Sequence, residues 1–339
     1  MNRKSFFSSS AGALAASFLP LPAAAKSLFS QPIIPPYLRK GDMIGITSPA
    51  GYITHEEILP AARIMESWGY RIRLGKTIGR RDATFGGTDA ERQADLQQML
   101  DDREIRAIMC ARGGYGSVRI VDKLHWNRFR ENPKWIIGFS DITVLHSHIQ
   151  RNLGIASIHS KMCNSFPGTM EEADPVQRET IESIRKALSG EHMQYSITAA
   201  PGNRDGRATG VLTGGNLKTL ETLAGSSSDI HTNNKILFVE DTGEYLYSID
   251  RMFWNLSRTG KLEQLAGLII GGFRIKQDDP GEEFGKDLRQ IVLEKVGRYR
   301  YPVCFDFPVG HQRDNFALKC GVLHKLTVQT GACTLTDNV

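Results

Sequence analysis

Cysteine is scarce in this 339-residue chain. The five present, Cys110, Cys163, Cys304, Cys320 and Cys333, are odd in number and widely spaced, with no Cys-x-x-Cys pair. That pattern argues against a zinc ribbon and against a disulfide-stapled scaffold. Cys110 and Cys304 fall inside apolar runs and read as small core residues. A strong excess of either charge is also missing: 42 Lys and Arg against 37 Asp and Glu leave a modest formal net charge of +5. No lysine-rich run and no alternation of basic and aromatic residues occurs, so nucleic acid is a poor partner. Long hydrophobic runs are missing as well. The apolar stretch from Phe6 to Leu21 is broken by serines, Gly12 and Pro20, which makes it a poor membrane span. There is no internal repeat.

What the N-terminus does contain is the outline of an export signal over residues 1–25. Arg3 and Lys4 form a short basic start, the apolar stretch follows, and Ala23-Ala24-Ala25 supplies a small-residue cleavage site. The segment Arg3-Lys4-Ser5-Phe6-Phe7 is similar to a twin-arginine signal with lysine in second place, which leaves the export route open. The location expected is periplasmic or otherwise exported, with the cytoplasm as the alternative.

From Met43 onward strand and helix patterns alternate. Strands are expected at 43–47, 70–74, 105–111, 134–138 and 156–159, with helices at 56–68, 89–100, 117–124 and from 140 onward. Strands separated by helices of this length imply a parallel sheet with helices on both faces. Ligands of such sheets bind at the carboxyl ends of the strands. Residues 166–206 read as a connection: a helix from Pro175, capped by Asp174, and then the turn-rich run Ala199 to Gly206. A second domain begins near Arg207, with a strand at 235–239, a helix at 248–262, a strand at 265–273, a helix at 284–296 and several late strands.

Two loops at strand ends carry the chemistry. Gly138-Phe139-Ser140-Asp141 joins a strand directly to a helix, the arrangement of a nucleophile elbow. The second glycine of that motif is replaced by Ile142, and on this stretch alone Ser140 reads better as a helix cap. Arg112-Gly113-Gly114-Tyr115-Gly116-Ser117 could cradle a phosphate, but it has no Gly-Lys-Ser/Thr, and Arg119 stands where the dinucleotide pattern wants glycine. A tight turn exposing backbone N–H groups is the better reading. Ser117 is a second candidate nucleophile, though a cap role suits it more. In the second half, Glu240 closes an apolar strand and His311 follows another. Taken one at a time they read as structural residues, the glutamate as an anchor for an arginine such as Arg251. With Ser140 they give the order Ser, Glu, His of hydrolases with a serine elbow. A zinc site would have only His146, His148 and His159, and on a helix the first two point to different sides.

Seven separated motifs, in order, resemble the LD-carboxypeptidase family of serine peptidases, which includes muramoyltetrapeptide carboxypeptidases and microcin-immunity peptidases. They are Ser48-Pro49-Ala50-Gly51-Tyr52; Phe85-Gly86-Gly87-Thr88 with Arg92 and Asp95; Arg112 to Gly116; Gly138 to Asp141; Gly214-Gly215-Asn216-Leu217; Val239-Glu240-Asp241; and Gly310-His311. The resemblance covers residues 36–325. It implies Ser140 as nucleophile with Glu240 and His311 completing the triad, and an oxyanion hole from the N–H groups of Gly114 and Asp141. It implies no metal and no cofactor. The implied reaction is hydrolysis of the L,D amide that releases a terminal D-amino acid, typically D-alanine, from a murein tetrapeptide in cell-wall recycling. A homodimer is implied too, and the interrupted apolar run leads us to expect no stable membrane insertion. An inactive cell-wall-peptide binding protein and a nucleotide-binding α/β protein are the alternatives. The family often has Gly-Pro-Met where this chain has Ser160-Lys161-Met162-Cys163. The fold expected is α/β: a Rossmann-like parallel-sheet N-terminal domain at 36–165, a connecting helix and linker at 166–206, and a smaller mixed, barrel-like C-terminal domain at 207–339.

Overall fold

A computed structural model describes residues 32–337; the expected export signal at 1–25 lies outside them. The first half runs β1 (Met43–Thr47), α1 (His55–Ser67), β2 (Arg71–Leu74), α2 (Asp89–Asp101), β3 (Ile105–Cys110), α3 (Asn127–Glu131), β4 (Trp135–Gly138), α4 (Thr143–Leu153) and β5 (Ser157–His159). Then come α5 (Pro175–Ser189), β6 (Gln194–Thr198), β7 (Gly206–Asn216), α6 (Leu217–Thr222), β8 (Lys235–Glu244) and α7 (Leu246–Arg258). The chain closes with β9 (Gly267–Ile275), α8 (Leu288–Val296), β10 (Val303–Cys304), β11 (Leu318–Cys320), β12 (Leu323–Gln329) and β13 (Ala332–Asp337).

The first sheet has the order β11-β5-β4-β3-β1-β2, parallel except for β11. Its inner strands β1, β3 and β4 are apolar on both faces because helices cover both, whereas the edge strand β2 is half-exposed. Ile44, Ile46, Met109 and Ile137 join α1 and α5 in one core, while Ile108, Cys110 and Ile136 join α2 and α4 in the other. This is the period-two alternation of a strand read against two helical layers. Local signals set the helix ends. Thr54 and Glu57 form a capping box before α1, and Asp174, Pro175 and left-handed Gly190 bound α5. Pro60 lies inside α1 rather than in its first turn, and the helix runs on past it.

The second sheet has the order β10-β9-β8-β7-β12-β13-β6. Its first four strands are parallel and the rest antiparallel, so it is mixed as expected. It does not close into a barrel: β10 and β6 remain its two edges. Each sheet takes a strand from beyond the boundary drawn in sequence. β11 pairs antiparallel with β5 in the first sheet, and β6, inside the expected linker, pairs with β13 in the second. Lys319 on β11 and Asp337 on β13 form a fully buried ion pair at 2.9 Å that joins the two sheets.

The helix expected at 117–124 is two single 3-10 turns, Ser117–Arg119 and Val121–Lys123. The β-branched Val118, Ile120 and Val121 lower helix propensity here, and Ile120, at φ −118°, interrupts the turns.

Candidate active site

Ser140 stands between β4 and α4, where the chain makes a 3-10 turn, Ser140–Ile142, before the helix proper. It is one of four non-glycine residues with positive φ among those described, at 63°. That conformation costs an L-residue of order 1–3 kcal/mol and is characteristic of functional turns. The cap alternative does not hold. Phe139 occupies the cap position, no side chain caps the turn, and the Ser140 hydroxyl has no hydrogen-bond partner among the described residues. Gly138 makes the sharp corner with φ 157°, and a Cβ there would come within 2.9 Å of Ile142. Ile142, standing in place of the motif's second glycine, therefore packs down onto the first.

The glycine loop lies directly over the serine. A Cβ on Gly113 would meet Ser140 Cβ at 3.1 Å and Ser140 Oγ at 3.3 Å. The Gly114 N–H donates to no carbonyl among the described residues, and that of Asp141 is among the first N–H groups of a helical turn, which lack an intrahelical partner. Both are free to donate to an oxygen bound beside Ser140. The Asp141 carboxyl points the other way and accepts from the Ser117 N–H at 2.8 Å. Burial raises its pKa, opposed by Ser117, Gly116 and the Arg92 guanidinium. A carboxyl already lodged in the loop repels phosphate, which counts against the nucleotide reading. Ser117 is fully buried, with its N–H spent on Asp141.

Arg92 and Asp95, marked in sequence by motif alone, hold this architecture together. Buried Arg92 donates to Pro49 O at 2.6 Å, Gly116 O at 3.0 Å and Gly87 O at 3.2 Å, and pairs with Asp89. Three loops are thereby tied to one guanidinium. Asp95 accepts from Thr47, Lys76 and Thr77.

Glu240 lies within β8, which runs on to Glu244, rather than at a strand end. The β8–β9 register slips here, so that Gly271 and Gly272 oppose Glu240 alone. Such a two-against-one bulge re-aims side chains. It also makes room for the segment that carries the histidine. Residues 307–310 are not a strand, since only Gly310 bridges, to Gly272. A Cβ on Gly310 would lie 2.4 Å from Glu240 Cβ, so only glycine permits this approach. His311 Nδ1 then lies 2.5 Å from Glu240 Oε2, and Glu240 is fully buried. Arg251 is exposed, over the Tyr247 ring, and takes no part. The bulge glycines carry no mark in the sequence, because strand register is not a local signal.

The two halves of the site meet through Phe139, whose ring lies 4.8 Å from that of His311. No hydrogen bond joins Ser140 to His311 among the described residues. Ser140, Gly114 and Asp141 line a cleft of about 240 Å³ with Tyr115, Asn216 and Lys218 from both halves. A larger polar hollow of about 540 Å³, near Asp229 and Lys261, includes none of the residues expected from sequence. Across the cleft, Asn216 N donates to Thr143 Oγ1 at 3.1 Å and its amide donates to Asp241 at 3.0 Å. Burial, then the neighbouring Glu240 charge among further influences, lifts Asp241 to about 6.

The three histidines that a zinc site would need are buried and point to different surroundings. His146 Nε2 meets Gly138 O at 2.9 Å, and burial lowers its pKa to about 4. His148 turns to Ser228 at 2.9 Å and stacks on Trp126, on another side of α4. His159 is fully buried between Phe139 and Phe238, and burial lowers its pKa as well.

A serine elbow facing free backbone N–H groups, with a histidine–glutamate pair beside it, defines a site of the serine-hydrolase class. Two family models match: LD-carboxypeptidase N-terminal domain over residues 44–160 and LD-carboxypeptidase C-terminal domain over 209–326. The chain is 32% identical over 302 residues to a probable murein peptide carboxypeptidase of Bacillus subtilis (strain 168), covering 87% of this chain and 92% of that one. It is 30% identical to a murein tetrapeptide carboxypeptidase of Pseudomonas aeruginosa, covering 82% and 91%. The crystal structure of a muramoyltetrapeptide carboxypeptidase from Oxalobacter formigenes superposes with a TM-score of 0.77 at 25% identity, over 88% of this chain and 99% of that one. The chain belongs to the LD-carboxypeptidase family of peptidases.

Proposed function

We propose that this protein is a serine carboxypeptidase that hydrolyses the L,D amide of murein tetrapeptides and releases the terminal D-amino acid, D-alanine. The observation that carries the reading is the His311–Glu240 hydrogen bond, delivered to the elbow of Ser140 through Phe139. With Nδ1 turned to Glu240, Nε2 of His311 is left to take the Ser140 proton as the hydroxyl attacks the carbonyl. Glu240 holds the tautomer and stabilises the imidazolium. The oxyanion is received by the Gly114 and Asp141 N–H groups. His311 gives its proton to the leaving amine, and water then releases the acyl-enzyme with His311 as base. Catalytic hydrogen bonds often tighten only with substrate bound, so the missing Ser140–His311 bond is compatible with these roles. Two domains are inferred, the first holding the nucleophile and the second the base and its carboxyl.

The test is mass spectrometry of a murein tetrapeptide incubated with the protein. The expected product is the tripeptide with free D-alanine; an unchanged tetrapeptide under conditions where the protein is folded overturns the reading in favour of a binding protein. We further infer export as a homodimer, supported by residues 3–25 and by the family resemblance. Mature protein from a Gram-negative periplasm should begin near Lys26, with a solution mass twice that of one chain. Intact Met1 on cytoplasmic enzyme would return it to a cytoplasmic recycling role.

A further inference from the structure

Lys161 follows β5 in the loop where the chain departs from the common family pattern. Its Nζ stands 5.7 Å from the centroid of the Phe139 ring, the ring that also contacts His311 and precedes Ser140 in the chain. The ammonium donates one hydrogen bond, to Gln312 O at 2.6 Å, on the residue after His311. An ammonium has three donors. Lys161 forms no ion pair with any described carboxyl. Burial pulls its pKa down, Asp314 and Glu240 oppose that, and the Arg274 guanidinium adds to the lowering. A half-buried cation without a direct counter-charge is thus tied to the loop that carries the histidine.

The chemistry of the proposed reaction says what belongs there. His311 returns its proton to the leaving amine, so the leaving residue must lie on the His311 side of Ser140. In a carboxypeptidase that residue is the last, and its carboxylate begins one carbon beyond the amine nitrogen, with oxygens about 3 Å from it. We propose that Lys161 receives this terminal carboxylate and makes a free C-terminus a determinant of substrate choice. The inference rests on the proposed function and deepens it. The competing role is a purely positional one, in which Lys161 only ties the Gln312 carbonyl and so the histidine loop to the elbow.

The experiment compares a murein tetrapeptide as free acid with the same peptide as C-terminal amide, using the wild type, Lys161→Met and Lys161→Arg. The wild type should favour the acid. In Lys161→Met, kcat/KM on the acid should fall about 10- to 100-fold, the loss of one charge-assisted contact, with little change on the amide. Lys161→Arg, which keeps the charge, should keep the preference. Equal losses on acid and amide, or an unchanged preference in Lys161→Met, would overturn the assignment while leaving the carboxypeptidase reading standing. A folded wild type that cleaves neither peptide would overturn the proposed function and this inference with it.

Discussion

Replacing Ser140 with alanine should lower turnover of a murein tetrapeptide by about 10⁴-fold or more while leaving the fold intact. The separation of the two effects follows from the geometry. Among the described residues the hydroxyl satisfies no donor or acceptor, so its removal leaves none of them unpaired, and stability should move by less than about 1 kcal/mol. Its entire role would lie in the bond it forms to substrate. Ser117→Ala is the matched control. That side chain is fully buried, and the N–H of Ser117 that donates to Asp141 survives the substitution. Its effect on turnover should be far milder. Single-turnover rates and thermal midpoints of the two variants decide the matter. Activity lost in Ser117→Ala but kept in Ser140→Ala would mean that the elbow is a structural corner.

Much of this arrangement can be read from sequence where the signal is local. β1, β3 and β4 announce themselves because both faces are buried, and α5 because Asp174, Pro175 and Gly190 bound it. The order of Ser140, Glu240 and His311 is legible through motifs, although no single residue demands it. What escapes is non-local. β11 is three residues long and is defined only by pairing with β5, and β6 shows the half-exposed alternation of an edge. Neither identifies its sheet until the partner is known. The site has the same limit: the aim of Glu240 depends on the slip opposite Gly271 and Gly272, and the approach of His311 on Gly310 lying against Glu240. Arg92 looks like an ordinary charged residue of an amphipathic helix until three loops converge on it.

Because Ser140 and His311 share no hydrogen bond in this structure, whether they act as one unit is best asked by combining substitutions. His311→Gln is the informative replacement. Its amide can still donate to Glu240, whereas removing the side chain outright would leave a fully buried carboxyl without its partner, at a cost of several kcal/mol. Its expected cost in kcat is of the same order as that of Ser140→Ala, and the double variant should be no worse than either single one. Groups that act as a unit are non-additive in this way, since losing one silences the other. Glu240→Gln should cost less, as it disturbs only the tautomer and orientation of the imidazole. Multiplying rather than coinciding losses in the cycle would sever the histidine from the serine. So would substantial turnover in His311→Gln, and Ser140 would then have to draw on His146 or His159. Both are poorly placed for that, since His146 spends Nε2 on Gly138 O and His159 is closed off between two phenylalanine rings. The cycle therefore tests whether the bulge in the second sheet exists to bring a base to the elbow of the first.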